Sequence, residues 1–115
     1  MKIQDLLIRG DLDGRSLCEA EYKGCLSPVY VRLDNGLWYE LAFNDPPCLA
    51  AYLSGSFVER DNLFAEPELI VIRTVTLSEI KKALRWLDED YFCRRVPAPE
   101  FSISDDDALY PMDDP

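Results

Sequence analysis

The chain has no histidine among its 115 residues. That removes the commonest general base, the usual activator of serine and cysteine nucleophiles, and the commonest metal ligand. Cys18, Cys25, Cys48 and Cys93 include no C-x-x-C pair, so a zinc site would need thiolates gathered from four distant segments. Glycine-rich phosphate loops and a G-x-S-x-G elbow are missing. No run approaches the ~20 apolar residues of a membrane-spanning helix, and Met1 to Leu6 lacks the apolar core of a signal peptide. Basic residues are scarce: 12 lysines and arginines face 22 acids, a formal net charge of −10. Such a chain is poorly suited to bind nucleic acid or an anionic membrane directly, because both demand positive charge. These absences favour binding over catalysis. No enzyme activity, metal or cofactor is expected, and the expected setting is the cytoplasm, with the cysteines buried and reduced.

What the chain does have is uneven acidity. Residues 97–115 hold six acids (Glu100, Asp105, Asp106, Asp107, Asp113, Asp114) and no base. Residues 1–67 hold eleven acids and six bases, and residues 68–96 five acids and six bases. Concentrated like charge is solvated and often meets a basic partner. Phe101, Ile103, Leu109, Tyr110 and Met112 are interleaved with those acids, however, so partial docking of the segment fits better than a free polyanion. The length suits a single domain, here residues 1–96, followed by an extended or partly docked acidic segment, residues 97–115.

Local structure is clearest from Pro28 to Asn44, where two β-rich runs flank Asp34-Asn35-Gly36, a strong hairpin signal. A two-residue turn would set Leu33 against Trp38. A three-residue loop sets Leu33 against Leu37, Val31 against Tyr39 and Val29 against Leu41, giving one wholly apolar face. Register follows the buried face, so the longer loop is predicted, with Gly36 left-handed. Tyr30, Arg32, Trp38 and Glu40 then share the other face, with Arg32 placed to stack on Trp38. Ser16 to Cys25 alternates weakly and reads as an outer strand of the same antiparallel meander. Ile3 to Ile8 is ambiguous between helix and strand, and Gly10 to Gly14 is a turn.

Further on, Asp45 is suited to cap a short helix with Pro46 at its first position, Leu49, Tyr52 and Leu53 inward, and Gly55 as its stop. Phe57 to Glu59 reads as a brief strand and Asp61-Asn62 as a turn. Leu69-Ile70-Val71-Ile72 has the continuous apolar pattern of a central strand covered on both faces. Thr76-Leu77-Ser78-Glu79 is a capping box, with Val75 and Ile80 as its staple. Leu77, Ile80, Leu84, Leu87 and Tyr91 form one stripe, so a single helix over Leu77–Tyr91 is predicted, with Lys81, Lys82 and Arg85 away from the stripe. The expected fold is therefore α+β, an antiparallel sheet of four or five strands with one main helix on a face and a short helix besides.

Few residues suggest chemistry. Asp11-Leu12-Asp13-Gly14 has a calcium-loop flavour but too few ligands, and a turn explains it. Asp105-Asp106-Asp107 on an extended segment diverge rather than converge on an ion. Ser102 and Ser104 precede acids, a pattern too short to specify a kinase. Paired acids suffice for glycoside cleavage, but no pair here is singled out by its neighbours. The candidates are partner-binding residues: Tyr30, Arg32, Trp38 and Glu40 on the hairpin, the acids Asp88, Glu89 and Asp90, and Asp105, Asp106, Asp107 and Tyr110 in the acidic segment. Size, acidity and the strand pattern around Val29–Phe43 make the chain resemble immunity proteins of bacterial polymorphic-toxin and contact-dependent inhibition systems. That resemblance implies a protein that covers the active site of a basic toxin, such as a nuclease. Two alternatives stand beside it: a nucleic-acid mimic or adaptor occupying a basic groove, and a module whose acidic tail is a peptide ligand.

Overall fold

The computed structural model describes residues 2–54, 68–87 and 89–112, apart from the side chains of residues 52–54 and of Glu89. The readings at Gly55, Phe57–Glu59, Asp61-Asn62 and Asp88, and the inward faces of Tyr52 and Leu53, fall outside this set. Strand β1 (Ile3–Ile8) leads through helix α1 (Arg15–Lys23) to β2 (Cys25–Leu33), β3 (Trp38–Asn44) and α2 (Pro46–Ser54). Then follow β4 (Leu69–Val71), α3 (Leu77–Trp86), α4 (Glu89–Cys93) and β5 (Ala108–Pro111). The fold is α+β, with a five-stranded sheet in the order β4-β3-β2-β1-β5.

The sheet is mixed, which corrects the expectation of an antiparallel one. β1, β2, β3 and β5 pair antiparallel, but β4 runs parallel to β3, with Ala42 against Leu69 and Asn44 against Val71. β4 is also terminal in the strand order rather than central, and Val71 is 46% exposed. Its apolar run reflects packing of Ile70 and Ile72 against the core, not coverage of both faces.

The hairpin follows the predicted three-residue register. Val29 pairs with Leu41, Val31 with Tyr39 and Arg32 with Trp38. Leu33 N–H donates to Leu37 O at 3.0 Å, and Gly36 closes the loop at φ 84°. Val29, Val31, Leu33, Leu41 and Phe43 are all fully buried on the face that meets the helices.

The segment Ser16 to Cys25 is not a strand. Leu17 and Ala20, three residues apart, turn inward together, while Tyr22 is 92% exposed. The helix start is capped from a distance: the buried Asp11 carboxylate accepts from Ser16 N–H (2.7 Å) and Leu17 N–H (3.0 Å). Gly24, at φ 75°, ends the helix and turns the chain straight into β2. A Cβ on Gly24 would sit 2.5 Å from the Asp45 carboxylate. Gly24→Ala is therefore expected to lower stability by about 1–3 kcal/mol in denaturant titration, from left-handed strain and the clash together.

The predicted long helix is two. α3 stops at Leu87, whose ψ of 133° is extended, and α4 restarts at Glu89. The stripe still works, because Ile80 and Leu84 are buried and Leu77, Leu87 and Tyr91 pack against the same core. Lys81, read as facing away, is 7% exposed and flanks the stripe. Thr76 caps as read, accepting from Glu79 N–H at 3.3 Å, with Val75 and Ile80 both buried as the staple. The Glu79 carboxylate turns instead to Arg73 (3.0 Å), which with Lys82 holds it below the usual glutamate range. At the far edge, Met112 N–H donates to Gln4 O at 2.9 Å. By alternation Leu109 and Pro111 point their backbone outward, and Pro111, lacking an N–H, blunts that edge.

Candidate functional site

The sheet's second face carries the four hairpin residues. Alternation along β2 and β3 puts Tyr30, Arg32, Trp38 and Glu40 there together, opposite the helices. On β1 the same face presents Asp5, whose carboxylate pairs with the Arg32 guanidinium. Arg32 also lies over the Trp38 ring, 5.4 Å from its centroid. Its buried Nε has no hydrogen-bond partner, so the ion pair and the ring together hold this cation.

A strap from the C-terminal segment crosses this face. After α4 the chain rounds the hairpin end of the sheet, where Ala98 N–H donates to Trp38 O at 2.8 Å. Phe101 then stacks on Trp38 (centroids 4.5 Å apart, planes at 25°) and tilts against Tyr30 (4.7 Å). Trp38 is left only 8% exposed. The Arg9 guanidinium covers Phe101 from above, 4.3 Å from the ring centre. Arg9 Nη1 donates to Ser102 O (2.8 Å) and to the Asp107 carboxylate (2.7 Å). Asp107 further accepts from Gly10 N–H and Ser104 N–H, both at 2.8 Å. These two backbone bonds, then Arg9, hold its carboxyl below the ordinary aspartate value of 3.8. Past this clasp the chain enters β5 beside β1.

Strap and sheet enclose a groove of about 430 Å³, lined by Arg9, Tyr30, Glu40 and the stretch from Val96 to Phe101. Tyr30 and Phe101 give it aromatic surface, and Glu40 and Glu100 give it carboxylates. The Tyr30 hydroxyl donates weakly to Glu40 at 3.4 Å. Burial first, then the Glu40 charge, raises the Tyr30 hydroxyl above the ordinary value of 10.0, so it remains a neutral donor. Glu100 sits at φ 50°, an uncommon left-handed backbone for a non-glycine residue, and it is held where the strap bends into Phe101. The groove's positive group, Arg9, is already paired with Asp107. Its remaining formal charge is therefore negative.

The other sequence candidates lie elsewhere. Asp105 and Asp106 are exposed in a turn, and Asp106 O receives Leu12 N–H at 2.9 Å. Asp107 points inward as the clasp. Tyr110 is half-buried on β5, and burial followed by the Asp11 charge raises its hydroxyl. Asp90 is exposed on α4, while Asp88 and the Glu89 side chain lie outside the described residues. Phe101 and Arg9 were absent from the candidate set. Phe101 had a signal, an aromatic among acids, whereas nothing local marks Arg9. The cysteines depart from expectation too: all four are free, but Cys18 and Cys93 are exposed and Cys25 and Cys48 only half-buried.

No described helix is long and apolar enough to cross a membrane. Comparison with protein-family models, with curated proteins and with solved structures found no match.

Proposed function

We propose that the protein is an inhibitor that binds and neutralises a basic protein, as an immunity protein of a bacterial toxin pair would. The observation that carries this reading is the groove on the strapped face, where Glu40 and Glu100 flank the aromatic surface of Tyr30 and Phe101. Carboxylates beside apolar surface suit a lysine or arginine side chain, whose charge pairs with Glu40 and Glu100 while its stem lies along the groove wall. The net charge of −10 favours rapid encounter with a cationic partner. The tail-ligand alternative is weaker, because residues 108–111 already pair with β1 and are not available as a free peptide.

The test is co-expression with the basic protein encoded beside it. Growth should be restored, and the two proteins should copurify as a stable complex. Charge reversal at Glu40 and Glu100 together should weaken that complex roughly tenfold or more while leaving the fold intact. A neighbour that is neither toxic nor bound, or turnover of a substrate by this protein alone, would sink the reading. Competition of DNA or RNA for the same partner surface would favour the mimic reading instead.

A further inference from the structure

The groove is one stretch of a longer surface. The strap starts at Val96 beside the groove, lays Phe101 over Trp38 and Tyr30, and ends at the Arg9–Asp107 clasp next to β5. Pairing across the sheet sets Leu109, Leu7, Tyr30 and Glu40 in one row on the strapped face. At ~4.8 Å between strands, Leu109 on β5 lies about 14 Å from Glu40 in the groove wall. Leu7 in that row is fully buried, whereas Leu109 at its end stays exposed. Ile103, between Phe101 and the clasp, is exposed as well, and so is Val96 at the far end of the groove. The apolar residues of the acidic segment therefore divide by task. Phe101 and Met112 pack inward and fasten the segment, while Ile103 and Leu109 are left outside. We propose that the outer side of the strap, from Val96 past the groove to Ile103 and Leu109, is one continuous docking surface for a basic protein. This rests on the reading of the chain as an inhibitor of a basic partner and adds where that partner sits.

Size requires more than the groove. A stable protein complex covers about 800 Å² on each side, a patch roughly 28 Å across. A partner seated on Glu40 and Glu100 therefore also reaches the strap's two ends. Charge selects the partner. Glu40, Glu100, Asp105 and Asp106 are exposed along this course. Its two guanidiniums are already matched, Arg9 to Asp107 and Arg32 to Asp5. Arg94 is exposed just before the strap, and Arg95 lies on the Tyr91 ring of the helix layer, 4.4 Å from its centre. The balance on the strap is negative, which attracts a cationic surface and repels an acidic one. The helix side of the sheet also exposes large side chains, Tyr22 on α1 and Trp86 on α3. There, however, the exposed bases Lys23, Lys82 and Arg85 stand beside them. The strap is also fastened before any partner arrives, by Ala98 N–H on Trp38 O and by the clasp. Docking on it orders little chain, so little binding energy is lost to entropy.

The test measures affinity between the full chain and the basic protein encoded beside it, using one substitution on both sides of the sheet. Ile103→Arg and Leu109→Arg should each weaken the complex about tenfold or more, by placing a bulky cation against a cationic partner. Tyr22→Arg and Trp86→Arg, equally exposed but on the helix side, should change affinity by less than about twofold. Hydrogen exchange of the wild-type complex gives a second reading that needs no variant. The amides of residues 100–106 should slow on binding, while those of α1 and α3 should not. That map decides the matter even if an arginine variant disturbs the fold. Loss at Tyr22 or Trp86 with Ile103 and Leu109 insensitive would place the partner on the helix side and overturn the proposal, leaving the inhibitor reading intact. Loss confined to charge reversal at Glu40 and Glu100 would restrict binding to the groove and overturn it likewise. Absence of any complex would overturn both.

Discussion

Phe101→Ala is expected to destabilise the protein by about 2 kcal/mol and to shift Trp38 emission to the red. Truncating a fully buried phenylalanine costs about 3–5 kcal/mol, and Phe101 is half-buried, so the lower value applies. Ring pairs add about 0.5–1.5 kcal/mol each beyond the area they cover, and Phe101 makes two, with Trp38 and Tyr30. It also carries the Arg9 guanidinium at 4.3 Å. Denaturant titration should show a lower midpoint with an unchanged slope, the sign of a stability loss without a change in unfolded surface. Fluorescence separates the two tryptophans. Trp86 is 89% exposed and already reports water, so any new red shift belongs to Trp38. Phe101→Leu, which keeps apolar area but not stacking, should lose roughly half as much. Unaltered emission with a loss below about 0.5 kcal/mol would mean that the strap does not hold this face closed.

The same strap explains what could and could not be read from the sequence. The hairpin register was legible because only one pairing gives a wholly apolar face, so Val29, Val31 and Leu33 decide it locally. The caps at Thr76 and Asp45 were legible for the same reason, each acting within three residues of itself. α1 was misread because Cys18, Ala20 and Tyr22 mimic a strand's alternation. Its true signals are Leu17 with Ala20, and a cap supplied from Asp11, outside the helix. β4 was misplaced because an apolar run reports burial, not position in the strand order. Its parallel pairing with β3 depends on a crossover that no local pattern encodes. β5 lay hidden in the acidic segment, since its partner β1 is at the other end of the chain. The candidate site divides along the same line. Tyr30, Arg32, Trp38 and Glu40 follow from alternation, whereas the Arg9–Asp107 pair spans 98 positions. Among the described residues of the acidic segment, Asp107 has a structural task, and its exposed neighbours Asp105 and Asp106 do not share it.

That difference among three consecutive aspartates makes the clasp testable by pH. Asp107 alone accepts two backbone N–H groups and the Arg9 guanidinium, and its carboxyl is held below 3.8 by the bonds from Ser104 and Gly10 and then by Arg9. A carboxyl whose folded value lies below its unfolded value stabilises the fold fully above the unfolded value. That contribution is lost as pH falls through the folded value. The clasp should therefore be intact at neutral pH and down to about pH 4, and open only in stronger acid. Hydrogen exchange should show the amides of Ala108, Tyr110 and Met112 losing protection below that point, before the β2–β3 amides do. Asp107→Ala should bring the same local opening to neutral pH, raising exchange in β5 by about tenfold or more while the hairpin stays protected. Asp105→Ala and Asp106→Ala should leave β5 exchange unchanged, since the clasp bonds from Arg9, Gly10 and Ser104 all go to the Asp107 carboxylate. If all three substitutions behaved alike, the segment would be held by β1 pairing alone. The strap would then be a passive extension of the sheet rather than a fastened cover over the groove.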